Sequence, residues 1–143
     1  MKRRSTRLLA AAFLAFSAGL AQAGDLVVIV SAHSPVEALR ADQVAAIFLG
    51  QSPRFPNGAL ATALDQPVGS PERDQFYGRV AGKTPALLKA HWSKMVFTGR
   101  GQPPRELRGS AAVRKAVADD PALIGYIERE ALDPSVRPVL LVH

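Results

Sequence analysis

A glycine–serine turn ahead of a predicted helix is the feature of this sequence that best fits small-molecule chemistry. The stretch DQPVGSPERDQFY leaves an apolar segment, turns at Gly69 and enters the helix at Ser70. The N–H groups that begin a helix have no partner inside it and often bind anions. The same residues also form an ordinary N-cap, since Ser70 precedes a proline in the first turn. The turn therefore predicts either an anion site or a helix cap.

A second candidate for anion chemistry lies in the segment TGRGQPPRELRG, the longest predicted loop. Arg100 stands there between Gly99 and Gly101, on a backbone that can approach a ligand closely. Its guanidinium group offers paired donors to a carboxylate or a phosphate. Taken alone, Arg100 has the character of a solvent-exposed loop arginine.

Catalytic chemistry has little support in the sequence. The chain has no cysteine, and none of its three histidines, His33, His91 and His143, lies at metal-binding spacing from another ligand residue. His33 follows the first predicted strand, in a loop of the kind where open α/β sheets bind ligands. We predict no enzyme activity, no metal site and no cofactor.

The first 23 residues have the order of a secretory signal peptide. A basic run, MKRRSTR, precedes the apolar stretch LLAAAFLAFSAGL, and AQA supplies a small-residue cleavage site after Ala23. The apolar stretch is shorter than the roughly 18 residues of a membrane span. Without cysteine, a lipid anchor on the mature chain is excluded. We predict cleavage before Gly24 and a periplasmic location.

Removal of residues 1–23 lowers the net charge of the chain, and with it the support for nucleic acid binding. The whole chain carries +6, whereas residues 24–143 hold 14 Lys and Arg against 12 Asp and Glu. A net charge of +2 does not indicate nucleic acid binding, and the aromatic residues are too scattered for base stacking. Phe48, Phe76, Tyr77, Trp92 and Phe97 fall on helical stripes and are predicted to pack in the core.

Strands and helices alternate along residues 24–143, which predicts one α/β domain with a sheet that is largely parallel in its core. Apolar runs rich in β-branched residues predict strands, and stripes at helical spacing after Ser or Thr caps predict helices. The predicted strands are Asp25–Val30, Ala59–Asp65, Leu123–Ile127 and Arg137–Val142. Predicted helices follow Asp42, Ser70, Thr84 and Ser110, and the third has its apolar stripe at Leu88, Trp92, Met95 and Val96.

Several stretches in order resemble the phosphate-binding proteins of ABC importers. SPVEALRADQVAAIFLGQSPRFPNG is similar to a segment in which a helix ends in an I-F-x-G turn, and DDPALIGYI resembles a later helix-to-strand segment. LDQPVGSPERDQFY falls where that family has an arginine, a spacer and a Gly-Ser-Gly-Thr turn. The resemblance covers roughly 100 residues and implies one lobe of a type 2 periplasmic binding protein.

The chain departs from that family at the turn itself. Pro71 stands in place of the second glycine and removes one N–H donor. Glu72 replaces the threonine and Asp65 replaces the arginine, so two negative charges stand where an oxyanion would bind. Ser70 and Arg73 remain as donors. Arg73 could pair with Asp65, with Glu72 or with a ligand.

Two functional hypotheses follow from the resemblance. The first is a periplasmic binding protein that holds phosphate or a similar oxyanion weakly. The second is an accessory or sensor module that has lost the ligand and binds a protein through the loop at 98–108. A membrane transporter, a periplasmic protein and a second copy of the chain are the partners left open. On the first hypothesis, the ligand-binding residues are Ser34, Gly69, Ser70, Arg73 and Arg100.

Overall fold

The computed structural model describes residues 24–143. The predicted signal peptide lies outside the described residues. The described chain forms one five-stranded sheet with four α-helices and a short 3-10 turn, Arg129–Ala131. The strands are β1 (Leu26–Ser31), β2 (Thr62–Asp65), β3 (Arg105–Glu106), β4 (Leu123–Glu128) and β5 (Val136–Val142). The helices are α1 (Ala41–Phe48), α2 (Pro71–Ala81), α3 (Pro85–Phe97) and α4 (Ser110–Asp119).

The sheet is mixed, with the strand order β3-β2-β4-β1-β5. β2 is parallel to both β3 and β4, whereas β1 is antiparallel to β4 and β5. The prediction of an α/β fold is confirmed, but the prediction of a largely parallel core fails at β1. The continuous apolar run of β1 indicates that the strand is buried on both faces of the sheet. Because a parallel and an antiparallel strand can both be buried in this way, the run does not indicate the direction of β1.

Helices cover both faces of the sheet and divide the core into two clusters. Val28 and Val30 pack towards α1 and α2, while Val27 and Ile29 pack towards α4. Successive side chains of a strand point to opposite faces, so every residue of β1 is buried. The fold is therefore a three-layer arrangement in which the sheet is the middle layer.

An aromatic cluster fills the core on the α1 and α2 side. The rings of Phe76 and Tyr126 are stacked at 4.0 Å between centroids, and Phe48 meets the ring of Phe76 edge-on at 4.7 Å. Phe48, Phe76 and Tyr77 are fully buried, which confirms their predicted place in the core, and Tyr126 is fully buried beside them. The cluster fixes α2 against β4 and so positions the residues at the start of α2.

Two predicted elements differ in detail from the structure. Gly109 is the N-cap of α4 and Ser110 is its first residue, and the Ser110 hydroxyl oxygen accepts the Glu128 N–H at 3.0 Å instead of capping the helix. The predicted loop after α3 contains the two-residue strand β3. Such a short strand, exposed and without apolar alternation, leaves no signal in the sequence.

Candidate functional site

The carboxyl ends of the three mutually parallel strands β2, β3 and β4 meet at one edge of the sheet, and two helices begin there. α2 starts beyond β2, and α4 starts beyond β3. In open α/β sheets this edge is where ligands bind. A pocket of about 230 Å³ lies at this edge. Its lining consists of Gln66, Pro67, Ser70, Glu72, Arg108, Gly109, Ser110 and Glu128.

The Gly69–Ser70 turn is a complete helix cap. Gly69 has a φ of 87°, a conformation that favours glycine, and the hydroxyl oxygen of Ser70 accepts the Arg73 N–H at 3.3 Å. The Asp74 N–H donates to the Ser70 carbonyl at 3.2 Å. The predicted cap is confirmed. Because Pro71 has no N–H, the first turn offers a ligand only the N–H of Glu72 and the hydroxyl proton of Ser70.

Asp65, at the end of β2, is the centre of a buried hydrogen-bond network. Its carboxylate accepts the hydroxyls of Tyr126 at 2.5 Å and Tyr77 at 2.7 Å, and the Gln66 N–H at 2.8 Å. The Arg73 Nε lies 3.4 Å from Oδ2 of Asp65 and forms a buried ion pair with it. Burial, reinforced by the Asp65 charge, raises the pKa of both tyrosines well above the ordinary value, so both stay protonated donors.

The network extends from Asp65 to two residues that line the pocket, Gln66 and Ser110. Gln66 is buried, and its side-chain amide donates to the Tyr126 carbonyl at 2.9 Å and to the Ser110 hydroxyl oxygen at 3.4 Å. The start of α4 is thereby tied to the end of β2. Sequence reasoning missed Gln66, Tyr126 and the role of Ser110. The available signal was a polar residue directly after a predicted buried strand.

Two acidic residues belong to the lining of the pocket. Glu72 lies on the first turn of α2 and Glu128 ends β4. A hydrogen bond with Glu72, together with partial desolvation, raises the pKa of Glu128 above its ordinary value. Arg108 lines the same pocket, is exposed and has no ion-pair partner among residues 24–143. The site thus combines hydroxyl and guanidinium donors with titratable acids.

The predicted ligand-binding residues do not all lie at this edge. Gly69, Ser70 and Arg73 are together at the start of α2. Ser34 lies at the opposite edge, because β1 is antiparallel to its neighbours, and its hydroxyl oxygen accepts the Val36 N–H at 3.2 Å. Arg100 is exposed in the loop after α3. His33, predicted to lie in a ligand-binding loop, is at the same edge as Ser34 for the same reason.

Other classes of site find no support in the part of the chain that the structure describes. Within residues 24–143, the acidic and histidine side chains nowhere gather in a group of three or more that could hold a metal ion. The helices of this part are all too short or too polar to cross a bilayer.

The mixed five-stranded sheet with its covering helices matches one lobe of the periplasmic binding proteins. A solved structure described as a phosphate ABC transporter substrate-binding protein with bound phosphate, from Clostridium perfringens, superimposes with a TM-score of 0.65 at 22% identity, over 82% of this chain and 46% of its own. An ABC-type phosphate transport receptor from Vibrio cholerae matches with a TM-score of 0.63 at 15% identity, over 82% and 47%.

A third solved structure, PstS from Borrelia burgdorferi, matches with a TM-score of 0.59 at 13% identity, over 80% of this chain and 46% of its own. This chain therefore spans about half the length of the structures it resembles. Comparison with known protein families and with curated protein sequences found no match. At these identities the similarity shows the fold alone.

Proposed function

We propose that this chain is a secreted, non-enzymatic binding module that holds phosphate or a similar oxyanion weakly in the pocket between the starts of α2 and α4. The observation that carries the proposal is that Ser70 and Arg108 line one pocket at the edge where β2 and β4 end. Positive helix ends and charge-assisted donors favour an anion there. The fold and the phosphate receptors that share it support this choice.

The affinity of the pocket for phosphate should be low, because few donors are free and two carboxylates are close. Arg73 is committed to Asp65, and Pro71 supplies no N–H. Glu72 and Glu128 place negative charge beside the bound oxyanion. A ligand gripped from one side also stays hydrated, so fewer hydrogen bonds contribute to binding. We expect a Kd of about 1 mM, a binding free energy of about 4 kcal/mol.

The test is isothermal titration of residues 24–143 with phosphate. The variant Ser70→Ala is matched with Thr84→Ala, because both residues cap a helix that continues with proline. Each cap should stabilise the fold by about 1 kcal/mol. Only Ser70→Ala should weaken phosphate binding, by about tenfold, since it also removes the hydroxyl donor. Equal binding by both variants would remove Ser70 from the site.

A gain of affinity is a sharper test. The double substitution Pro71→Gly and Glu72→Thr restores an N–H donor and a hydroxyl and removes a carboxylate. We expect it to tighten phosphate binding by about tenfold or more. If neither the original chain nor this variant gives heat at millimolar phosphate, the oxyanion proposal fails.

That outcome would favour the second candidate function, an accessory or sensor module that has lost its ligand. The specific observation behind it is the buried Asp65–Arg73 pair, which keeps within the protein an arginine that could otherwise bind an anion. On this alternative the fold is kept as a scaffold for protein contacts. A transporter component or another periplasmic protein would then be the partner.

A further inference from the structure

Helix α3 has apolar residues on more sides than the described chain covers. Leu88 and Trp92 pack into the core. The predicted stripe at this helix is wrong at Val96, which is 44% exposed, and the predicted core residue Phe97 is 92% exposed. A helix that is apolar on most sides is normally covered. The exposed side of α3 therefore indicates a surface that something outside residues 24–143 covers.

The side of α3 that points away from the core carries apolar and basic residues together. Leu87, Ala90, Lys94 and Phe97 follow one another at intervals of three or four residues, so they lie on one face of the helix. All four are exposed. We call these four residues the outer stripe. Leu87 and Phe97, at its two ends, are about 15 Å apart along the helix axis.

The sequence around the outer stripe is strongly biased towards positive charge. No acidic residue occurs from 75 to 105, while six basic residues do. These are Arg79, Lys83, Lys89, Lys94, Arg100 and Arg105. The rest of residues 24–143 carries more acids than bases. The charge of the domain is therefore polarised, with its positive part at α3 and the segments next to it.

Two carboxylates lie beside α3, and both belong to a groove on one flank of the helix. Asp74 and Glu106 line this groove together with Lys89, and the Glu106 carboxylate accepts the Val68 N–H at 2.7 Å. No residue of the outer stripe lines the groove. The groove contributes little net positive charge, and the outer stripe is a separate surface.

The other flank of α3 packs against a part of the chain that contains no acid. Nε2 of His91 lies within hydrogen-bond distance, 2.8 Å, of the Leu49 carbonyl oxygen just after α1. From 43 to 64 the chain has no acidic residue, and its one charged residue is Arg54. On this flank the neighbouring segments leave the positive charge of the outer stripe uncompensated.

Basic residues also stand on both sides of the most exposed aromatic side chain. Lys94 precedes Phe97 by three residues, and Arg100 follows it by three in the loop after α3. Lys94 and Arg100 are both exposed, and neither forms an ion pair within residues 24–143. A protruding aromatic ring between cations is typical of surfaces that enter the headgroup region of a bilayer.

We propose that the outer stripe and Arg100 bind the surface of an anionic lipid bilayer. Phe97 and Leu87 enter the boundary between headgroups and acyl chains, and Lys94 and Arg100 contact the lipid phosphates. This inference goes beyond the proposed oxyanion function and does not rest on it, because none of these residues lines the pocket at Ser70.

The shape and charge of the outer stripe favour a bilayer over a protein. A protein interface of standard size buries about 800 Å² on each partner and needs a close fit. The outer stripe is the convex side of one helix, and a fluid bilayer can deform around a protruding ring such as Phe97. A symmetric dimer through this face would bring two basic segments together, which disfavours a second copy.

The test is co-sedimentation of residues 24–143 with lipid vesicles. The first 23 residues are left out because their own apolar stretch would bind lipid. We expect binding to vesicles of phosphatidylglycerol and phosphatidylcholine in equal parts, and far weaker binding to phosphatidylcholine alone. Raising the salt concentration from about 0.1 M to about 1 M should release most of the bound protein, because salt screens the attraction.

Two matched pairs of variants locate the surface. Lys94→Glu should weaken binding by about twentyfold, whereas Lys115→Glu, the same change at an exposed lysine of α4, should leave it nearly unchanged. Phe97→Ala should weaken binding by about tenfold. Leu141→Ala, which removes an exposed apolar side chain from the edge strand β5, should have no such effect.

Each contrary outcome has its own signature. Equal binding to both kinds of vesicle would overturn the anionic surface, and equal losses for Lys94→Glu and Lys115→Glu would overturn the assignment to α3. Without vesicle binding, self-association that Phe97→Ala abolishes would assign the face to a second copy. In the same case, binding of a helical peptide of Glu and Leu would assign it to an acidic protein. Ser70→Ala should leave vesicle binding intact, so this proposal and the oxyanion proposal can fail separately.

Discussion

Arg73 and Asp65 form a buried ion pair, with the Arg73 Nε 3.4 Å from Oδ2 of Asp65. Asp65 ends β2 and Arg73 lies on the first turn of α2, so the pair links the two elements that flank the Gly69–Ser70 turn. The positive charge of Arg73, which could otherwise face an oxyanion, is therefore paired with Asp65 and holds the start of α2 against the end of β2.

Breaking this pair should be strongly destabilising. Asp65→Asn leaves Arg73 buried without its counter-charge and weakens the acceptor for two tyrosine hydroxyls. We expect a loss of about 3–5 kcal/mol in the free energy of unfolding, measured by urea denaturation. The matched control is Asp42→Asn, which breaks the exposed pair with Arg40 and should have a far smaller effect, because water screens that pair. Equal losses for the two variants would contradict a stabilising role for the buried pair.

The Glu72–Glu128 pair should make the fold sensitive to pH. Because the pKa of Glu128 is raised in the folded state, its favourable contribution is present at low pH and is lost as pH rises through that pKa. Glu128→Gln should therefore raise the melting temperature at about pH 8 and have little effect at about pH 4. Glu37→Gln, an exposed acid at the other edge of the sheet, is the control. A stabilisation by Glu128→Gln that is the same at both pH values would refute the repulsion.

The same pair should control oxyanion binding. Sulfate does not titrate between pH 5 and pH 8, so it isolates the protein's own protonation from that of the ligand. As Glu128 takes up a proton, negative charge at the pocket falls and sulfate should bind more tightly. Isothermal titration across this range should show the increase, and Glu128→Gln should flatten it. A flat profile in the original chain would place sulfate elsewhere.

Gly125 and Gly78 should respond in opposite ways to alanine. A Cβ at Gly125 would overlap a methyl of Val113, because α4 packs closely on β4 at that point. Gly125→Ala should cost about 1–3 kcal/mol by overpacking. Gly78→Ala meets nothing within 4 Å in the interior of α2, and should stabilise by about 0.5–1 kcal/mol. Thermal or urea unfolding checks both, and a tolerated Gly125→Ala would mean that α4 moves freely on the sheet.

Two phenylalanines test which apolar residues form the core. Phe76 is fully buried in the aromatic cluster, so Phe76→Ala should cost about 3–5 kcal/mol. Phe97 projects into solvent from the end of α3, and Phe97→Ala should change stability by less than about 0.5 kcal/mol. A large loss on removing Phe97, measured by urea denaturation, would show that another surface of the protein covers it in solution.

The sequence by itself determined the elements and most of the core. The apolar run of β1, the cap at Ser70 and the buried aromatic residues of α1 and α2 all follow from local periodicity and capping chemistry. The order of the I-F-L-G, Gly-Ser and Ile-Gly-Tyr stretches also indicated the fold class, which the structural similarity confirms.

Only the tertiary structure decided what these residues do. The direction of β1 moved Ser34 and His33 away from the turn, and no local pattern encodes strand direction in a strand buried on both faces. Arg73 had three candidate partners in the sequence, and packing selected Asp65. Phe97 and Val96 fit a helical stripe, but α3 has only one side covered within residues 24–143. Periodicity gives the spacing of apolar residues, whereas burial depends on which neighbour the fold brings to each face.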